Sequence, residues 1–430
     1  MGLQPMKIKG NLVFSLILAA ILTVLPFSYA SADSGRYFVK STKAFWKNAL
    51  GVRHSFDSGF STELSDFQVR FARIFGAEIE PVKVLQILPV LSGQDSALAP
   101  KDRESENLGD EPLTVTPTPA KPLVPLAKGK PQRQLPSDQT PWSIEVVYND
   151  PSIVKTSGGL DANVAILDTG VLASHIDLKN RIAQCKDFTS FKTPVVDGKC
   201  DDKNGHGTHV AGIVAADGGS DGKGIYGVAP AAKLFVYKVC GPAGSCFADD
   251  IATAIRTAAD LGANVINMSF GADGETPLIG DAVNYAVAKG VLSVAAAGND
   301  GPFAASIDYP AAYAAVVAAG AINQTLTVTE WSSRGINSTT TPFVVEERDI
   351  EFAAPGENIE STYKNGGYAI LSGTSMAAPF VSGLAAKFWQ SAAEIPAQAT
   401  RDFLHTLALD LLPAGDDDAS GFGLPQVPAP

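Results

Sequence analysis

The segment Asp201–Asp217, DDKNGHGTHVAGIVAAD, sets His206 and His209 three residues apart among glycines, in a chain of 430 residues with only five histidines. Two imidazoles so placed fit a metal pair, an inert surface feature, or one working base beside a structural neighbour. The metal reading lacks the glutamate that a zinc-protease helix carries next to its histidines. A base needs a nucleophile and an orienting acid. LSGTSMAAP offers Ser375 at a helix start, and NVAILDTGV offers Asp168 at the end of an apolar strand. A serine hydroxyl is a poor nucleophile until an imidazole removes its proton, and the imidazole needs a carboxylate to hold its tautomer and stabilise its charged form. VAAAGND adds Asn299, whose amide can join the free N–H groups at the Ser375 helix start in holding a developing oxyanion.

Asp168-Thr169-Gly170 also admits a rival, since Asp57-Ser58-Gly59 supplies a second copy of the aspartic-protease signature. That chemistry needs two similar β-rich lobes. Asp57 and Asp168 instead fall in segments of different pattern, and the histidine and serine motifs are left without a use.

The elements that must position these groups follow from periodicity. From Pro141 onward, the runs NVAILD, KLFVYKV, NVINMSF, VLSVAAA and AAVVAAGAI alternate with helical patterns, two of which end at Gly262 and Gly290, where a helix C-terminus favours a left-handed residue. Strands apolar on both faces and alternating with helices predict an α/β fold of three layers, with a doubly wound, mostly parallel sheet over residues 141–424. Ligands then bind beyond the carboxyl ends of the strands.

Ahead of it, residues 33–91 read as a small α+β unit: RYFVK as a strand, SFDSGFSTEL as a hairpin, and SDFQVRFARIF as an amphipathic helix with Phe67, Phe71 and Ile74 on one face. Ser65 and Gln68 form a capping box, Leu64 staples to Val69, and PVKVLQIL alternates as an edge strand does. A cysteine-free unit of this size is marginal alone and is expected to lean on something else. Residues 92–140 carry eight prolines and almost no aromatic side chains, the composition of a linker open to proteolysis. Residues 425–430 form a short proline-rich tail.

Residues 1–32 have the three parts of a secretory signal: Lys7 and Lys9, an apolar run from Leu12 to Leu25, and small residues around Ala30 and Ala32. The run is about 14 residues long where a membrane span needs about 20, so removal is expected rather than anchoring, with the product outside the cytoplasm. A net charge of −12 without a basic run excludes nucleic acid or an anionic membrane surface as the main partner. Export favours disulfides, and of three possible pairings the two local ones are expected, Cys185 with Cys200 in one loop and Cys240 with Cys246 in another. The second pair is too widely spaced for a zinc knuckle and has no flanking histidine.

DTG, HGTHVAG, AAGN and GTSMAAP stand in the order Asp, His, Ser, and over Trp142 to Leu424 the chain resembles the subtilisin-like serine proteases. The resemblance implies a triad of Asp168, His206 and Ser375, an oxyanion hole with Asn299, a structural role for His209, no catalytic cofactor, and a monomer acting on proteins or peptides. Extended substrate would pair with Ser269, Phe270 and Gly271, and with a second edge near Ala297 and Gly298. Asp300 would stand on the rim of the primary pocket, either accepting a basic side chain or as an ordinary solvated acid. Asp177, with the loop from Asp217 to Gly224, fits a structural calcium site and a plain charged turn equally. The leading unit resembles the family's inhibitory propeptide, which assists folding and blocks the cleft, although a long linker follows it here. The insertion within SSRGINSTTTPFVVEERDIEFAAPG is expected to form an acidic surface flap.

Overall fold

Strands apolar on both faces require cover on both faces, and the computed structural model provides it. It describes residues 34–88, 134–336, 344–411 and 413–429. The expected leader, most of the linker and part of the insertion lie outside these residues.

The leading unit runs β1 (Ser34–Val39), α1 (Ala44–Leu50), β2 (Ser55–Phe56), β3 (Gly59–Ser65), α2 (Asp66–Ile74) and β4 (Ile79–Pro81), with strand order β2-β3-β1-β4. The capping box forms at the start of α2, where Ser65 Oγ accepts from Gln68 N–H and the Gln68 side chain accepts from Ser65 N–H. Leu64 and Val69 are buried in one cluster with Phe60 and Trp46, as the staple requires. The buried face of α2 differs from the expected one. Val69 and Ala72 face the sheet, whereas Phe67 is 60% and Ile74 78% exposed. The small Val69 and Ala72 allow close packing on the strands, and the Phe67 ring stacks on Phe71, which tilts against Phe75 at the edge of the buried cluster. The expected single edge strand is also divided. After Pro81 the chain leaves the small sheet, and β5 (Val84–Ile87) crosses to the following unit.

That unit continues with α3 (Trp142–Val147), β6 (Asn163–Asp168), β7 (Ile182–Asp187), β8 (Val196–Asp197), α4 (His206–Ala215), β9 (Lys233–Lys238), β10 (Ser245–Phe247), α5 (Ala248–Asp260), β11 (Val265–Met268), β12 (Phe270–Gly271), α6 (Pro277–Ala288), β13 (Leu292–Ala296), β14 (Val316–Ile322) and β15 (Phe352–Pro355). It ends with β16 (Ile359–Thr362), β17 (Tyr368–Leu371), α7 (Thr374–Lys387), α8 (Pro396–Thr406), β18 (Ala408–Leu409) and β19 (Leu424–Pro425). The main sheet has eight strands in the order β15-β14-β13-β11-β6-β9-β7-β8, parallel throughout except for β8. Alternation along β6 divides the core. Val164 and Ile166 pack on the side of α4 and α7, and Ala165 and Leu167 on the side of α5 and α6. Gly262 and Gly290 adopt the left-handed conformation after their helices.

Both local disulfides form, Cys185–Cys200 and Cys240–Cys246. Cys185 lies on β7 and Cys246 on β10 rather than in loops, because strand pairing extends into both segments. The acidic insertion is not simply a flap. Glu351 is fully buried, where its two oxygens accept from Arg401 Nε and Nη2 at 2.7 and 2.6 Å, and His405 Nε2 lies 2.8 Å away. Burial acts to raise the Glu351 pKa, but the Arg401 charge and the bonds from both partners bring it below the usual range. Its contribution is therefore present above the unfolded-state value and is lost as pH falls through the lower folded value. Arg401→Met leaves the buried carboxylate with His405 as its remaining side-chain partner and is expected to cost about 3–5 kcal/mol in urea unfolding at neutral pH, with a smaller difference in strong acid.

Candidate active site

Asp168 is the last residue of β6, at the middle of the sheet, and is fully buried. A buried carboxylate must be hydrogen-bonded, and its partners decide its use. Thr169 N–H and Oγ donate to Oδ1, and His206 Nδ1 stands 2.9 and 3.0 Å from the two oxygens. The imidazole therefore carries its proton on Nδ1. Gly207 gives Asp168 its room, since a Cβ there would lie 3.0 Å from Asp168 Oδ1. His206 Nε2 is buried with no hydrogen-bond partner among the described residues, which leaves it available as an acceptor.

Ser375 is the second residue of α7, and Gly373 ahead of it adopts a φ that favours glycine. Its Oγ donates to Ser269 O at 3.1 Å rather than to His206, so Asp168 and His206 are joined while the serine is turned aside. Ser269 Oγ in turn donates to Ser375 O, which ties α7 to the strand beside it. Asn299 Oδ1 accepts from Thr374 N–H and Oγ, both at 3.0 Å, directing the amide nitrogen away from Thr374. His209 is buried one turn along α4, with Nε2 between the carbonyls of Ile359 and Ala369. Burial and the neighbouring His206 lower its pKa to about 3, which makes it a permanently neutral brace. Asp57 sits in the β2–β3 turn paired with Arg256, apart from Asp168, so the aspartic-protease pair does not assemble.

The groove beside Ser375 holds the chain's own β5. Phe270 pairs with Ile87 and Gly271 with Gln86 on one side, and Ser245, Cys246 and Phe247 pair with Gln86, Leu85 and Val84 on the other, all antiparallel. Leu85 and Phe270 share a buried cluster, and Leu88 beyond β5 is buried as well. Ala297 and Gly298 take no part in this pairing with β5. Ala297 N–H donates to Ala319 O, its carbonyl accepts from Asp308 N–H, and Gly298 N–H donates to Thr374 Oγ, so their backbone groups are already used. Asp300 is half-buried and stands with Asp273 and the buried Asp308, their carboxylate oxygens within 4.8 Å of one another. Asp308 lies directly behind Gly271 and Gly298.

Of the expected calcium residues, Asp177 is fully buried and its Oδ2 accepts from Ile225 N–H and Tyr368 OH, with Gly224 against Oδ1. Asp217 faces Arg181 instead, Nε to Oδ2 at 3.3 Å, so a cation's place there is taken by a guanidinium. Gln139 Nε2 donates to the carbonyls of Gly222 and Gly224 at 2.9 and 2.8 Å. The oxygens of Asp177, Gly222 and Gly224 are the hard ligands this loop offers a calcium ion, and hydrogen-bond donors engage all three.

Two residues essential to the geometry escaped the sequence reading. Asp202 accepts five hydrogen bonds, from Thr169 Oγ, the N–H groups of Asn204, Gly205 and Thr208, and Thr208 Oγ, and so fixes the start of α4 that carries His206. An aspartate shortly before a helix start is the signal that was available. Lys238 Nζ is buried and donates to the carbonyls of Thr169 and Asp201. Burial lowers its pKa against the opposing influence of Asp187, Asp202, Asp168 and Asp201.

A buried imidazole–carboxylate pair, a helix-start serine and an amide donor at the carboxyl ends of a doubly wound sheet define a serine hydrolase. A model of the Subtilase family matches residues 159–423. A subtilisin of Bacillus sp. (strain TA39) is 49% identical over 311 residues, 68% of this chain and 73% of the relative. Subtilisin DY of Bacillus licheniformis is 36% identical over 291 residues, 67% of this chain and 97% of the relative. Among solved structures, S41 Psychrophilic Protease and Sphericase each align with a TM-score of 0.65 at 49% identity, covering 68% of this chain and 99% of theirs. The chain belongs to the subtilase family and is a serine endopeptidase. Among the described residues no helix is long and apolar enough to cross a membrane. Asp202→Ala, which removes the acceptor for the α4 start, is expected to cost about 1–3 kcal/mol in chemical denaturation and to lower kcat for a peptide substrate.

Proposed function

We propose that the protein is an exported endopeptidase made as a pre-pro-enzyme that matures itself, and that β5 is held in its groove as a substrate would be. The observation that carries this is the insertion of β5 between β12 and β10 with backbone pairing on both sides, the mode in which extended peptides are recognised at exposed strand edges.

In the proposed reaction, Ser375 Oγ rotates from Ser269 O toward His206 Nε2, gives up its proton there and attacks the scissile carbonyl. Asp168 holds the Nδ1–H and stabilises the imidazolium. The oxyanion takes hydrogen bonds from the Ser375 N–H and the Asn299 amide. The imidazolium then protonates the leaving amine, and water, activated by the same base, releases the acyl group. No metal enters any step. A calcium ion held by Asp177 and the carbonyls of Gly222 and Gly224, with the Gln139 amide turned to present its oxygen, would serve stability.

Residues 34–88 act in this reading as an inhibitory propeptide. Beyond β5, its seam with α5 is an ion cluster: Arg36 bonds Asp249 and Asp250 at 3.2 and 2.7 Å, Arg53 bonds Asp250 at 2.9 Å, and His54 Nε2 stands 2.9 Å from Asp250. Burial, and then Asp250, raise the Asp249 pKa against the opposing charges of Arg36 and His54. The proposed cut falls within residues 89–133, and the signal-like pattern of residues 1–32 and the paired cysteines support export.

Secreted wild type is expected to show a new N-terminus within residues 89–133, whereas Ser375→Ala retains residues 34–88. N-terminal sequencing of both decides this, and a processed Ser375→Ala overturns self-maturation. Asn299→Leu is expected to lower kcat by about 10²–10³, as the equivalent loss does in a subtilisin. Chelation by EGTA should lower the melting temperature of wild type but not of Asp177→Asn.

A further inference from the structure

The groove's two edges are anchored differently. β12 continues directly from β11 in the main sheet and is tied to α7 through Ser269 and Ser375. β10 lies outside the main sheet, and β5 is its neighbour in the three-stranded sheet. Once β5 departs, a strand of three residues has to keep its position with its ladder partner gone. Strand edges bind peptides through evenly placed backbone groups, so an edge free to shift loses register.

The Cys240–Cys246 bond lies at this point. Cys246 is the central residue of β10, directly opposite Leu85. Cys240 follows β9, and its N–H donates to Asp168 O at 3.1 Å beside Val239 N–H at 2.9 Å. The crosslink therefore joins the substrate edge to the backbone of the catalytic acid itself. Within the loop, Gly241 N–H donates to Ser245 O and Gly244 N–H to Gly241 O, which leaves Gly244 O to accept from Ile87 N–H at 2.9 Å. Both sulfurs are buried in the cluster that holds Leu85 and Phe270.

We propose that the Cys240–Cys246 disulfide is a positioning element for substrate, holding β10 in register with Asp168 so that extended peptides bind along both edges. The proposal rests on the groove reading given above. It predicts a defect in binding long substrates that spares chemistry on substrates too short to reach β10.

The test compares matured wild type with Cys240→Ser/Cys246→Ser on a four-residue peptide anilide and a single-residue ester, with rates expressed per site titrated by a fluorophosphonate. The ratio of peptide KM to ester KM is expected to rise about tenfold while kcat on the peptide stays within about twofold, the signature of lost uniform binding. Cys185→Ser/Cys200→Ser should leave the ratio as in wild type. If the first variant fails to label, reductant is applied to matured Cys185→Ser/Cys200→Ser, which retains only the bond in question, and the same ratio is read. An unchanged ratio, or equal losses on both substrates, overturns the proposal. Wild type inert toward both substrates overturns the protease reading instead.

Discussion

The structure depends on one arrangement: a carboxylate removed completely from water that must remain charged to hold an imidazole. Asp168 meets this demand from the central strand of the sheet, where Thr169 donates to it, Asp202 holds the Thr169 hydroxyl, and the Lys238 ammonium lies against the Thr169 carbonyl. Each of those groups is itself fixed by a strand end or a helix start. The doubly wound fold supplies these in one place, because parallel strands all end on the same side of the sheet. Gly207 and Gly373 are the backbone counterpart, the first sparing the room a side chain would take and the second adopting a φ that favours glycine.

In the proposed function, substrate recognition and self-restraint use the same edges. A peptide lying between β10 and β12 makes main-chain bonds regardless of its sequence, so the leading unit needs only an extended segment to occupy the groove. Specificity for its own leading unit comes from elsewhere, from the arginines and histidine set against Asp249 and Asp250 at the start of α5. Buried ion pairs add little net stability but are costly to mismatch, which suits a seam that must fit one partner and later be surrendered.

What the sequence revealed was what local pattern encodes. The five predicted strands, the glycine stops after α5 and α6, the capping box at Ser65 and both cysteine pairings required only neighbours along the chain. Asp168, His206 and Ser375 were legible because each sits in a short glycine-rich motif at an element boundary. Long-range facts were not legible. Nothing local in PVKVLQIL states that its second half pairs with residues more than 150 positions away. Glu351 looked like surface because its partners Arg401 and His405 come from α8. The α2 face was misjudged for a related reason: hydrophobicity favoured the phenylalanines, while the closeness of the sheet favoured Val69 and Ala72. Asp217 was a natural choice for a cation ligand until Arg181 folded beside it.

The dry ion cluster along α5 has one further consequence. Mobile ions cannot enter it, so ionic strength has little hold on the joined state, and parting requires several charges to be hydrated together rather than one by one. Once apart, the two surfaces carry opposite, uncompensated patches, cationic on the departing piece and anionic on the enzyme. In the proposed maturation, residues 34–88 once cut therefore keep a long-range attraction for the molecule they left, and lasting freedom requires their destruction rather than their mere detachment.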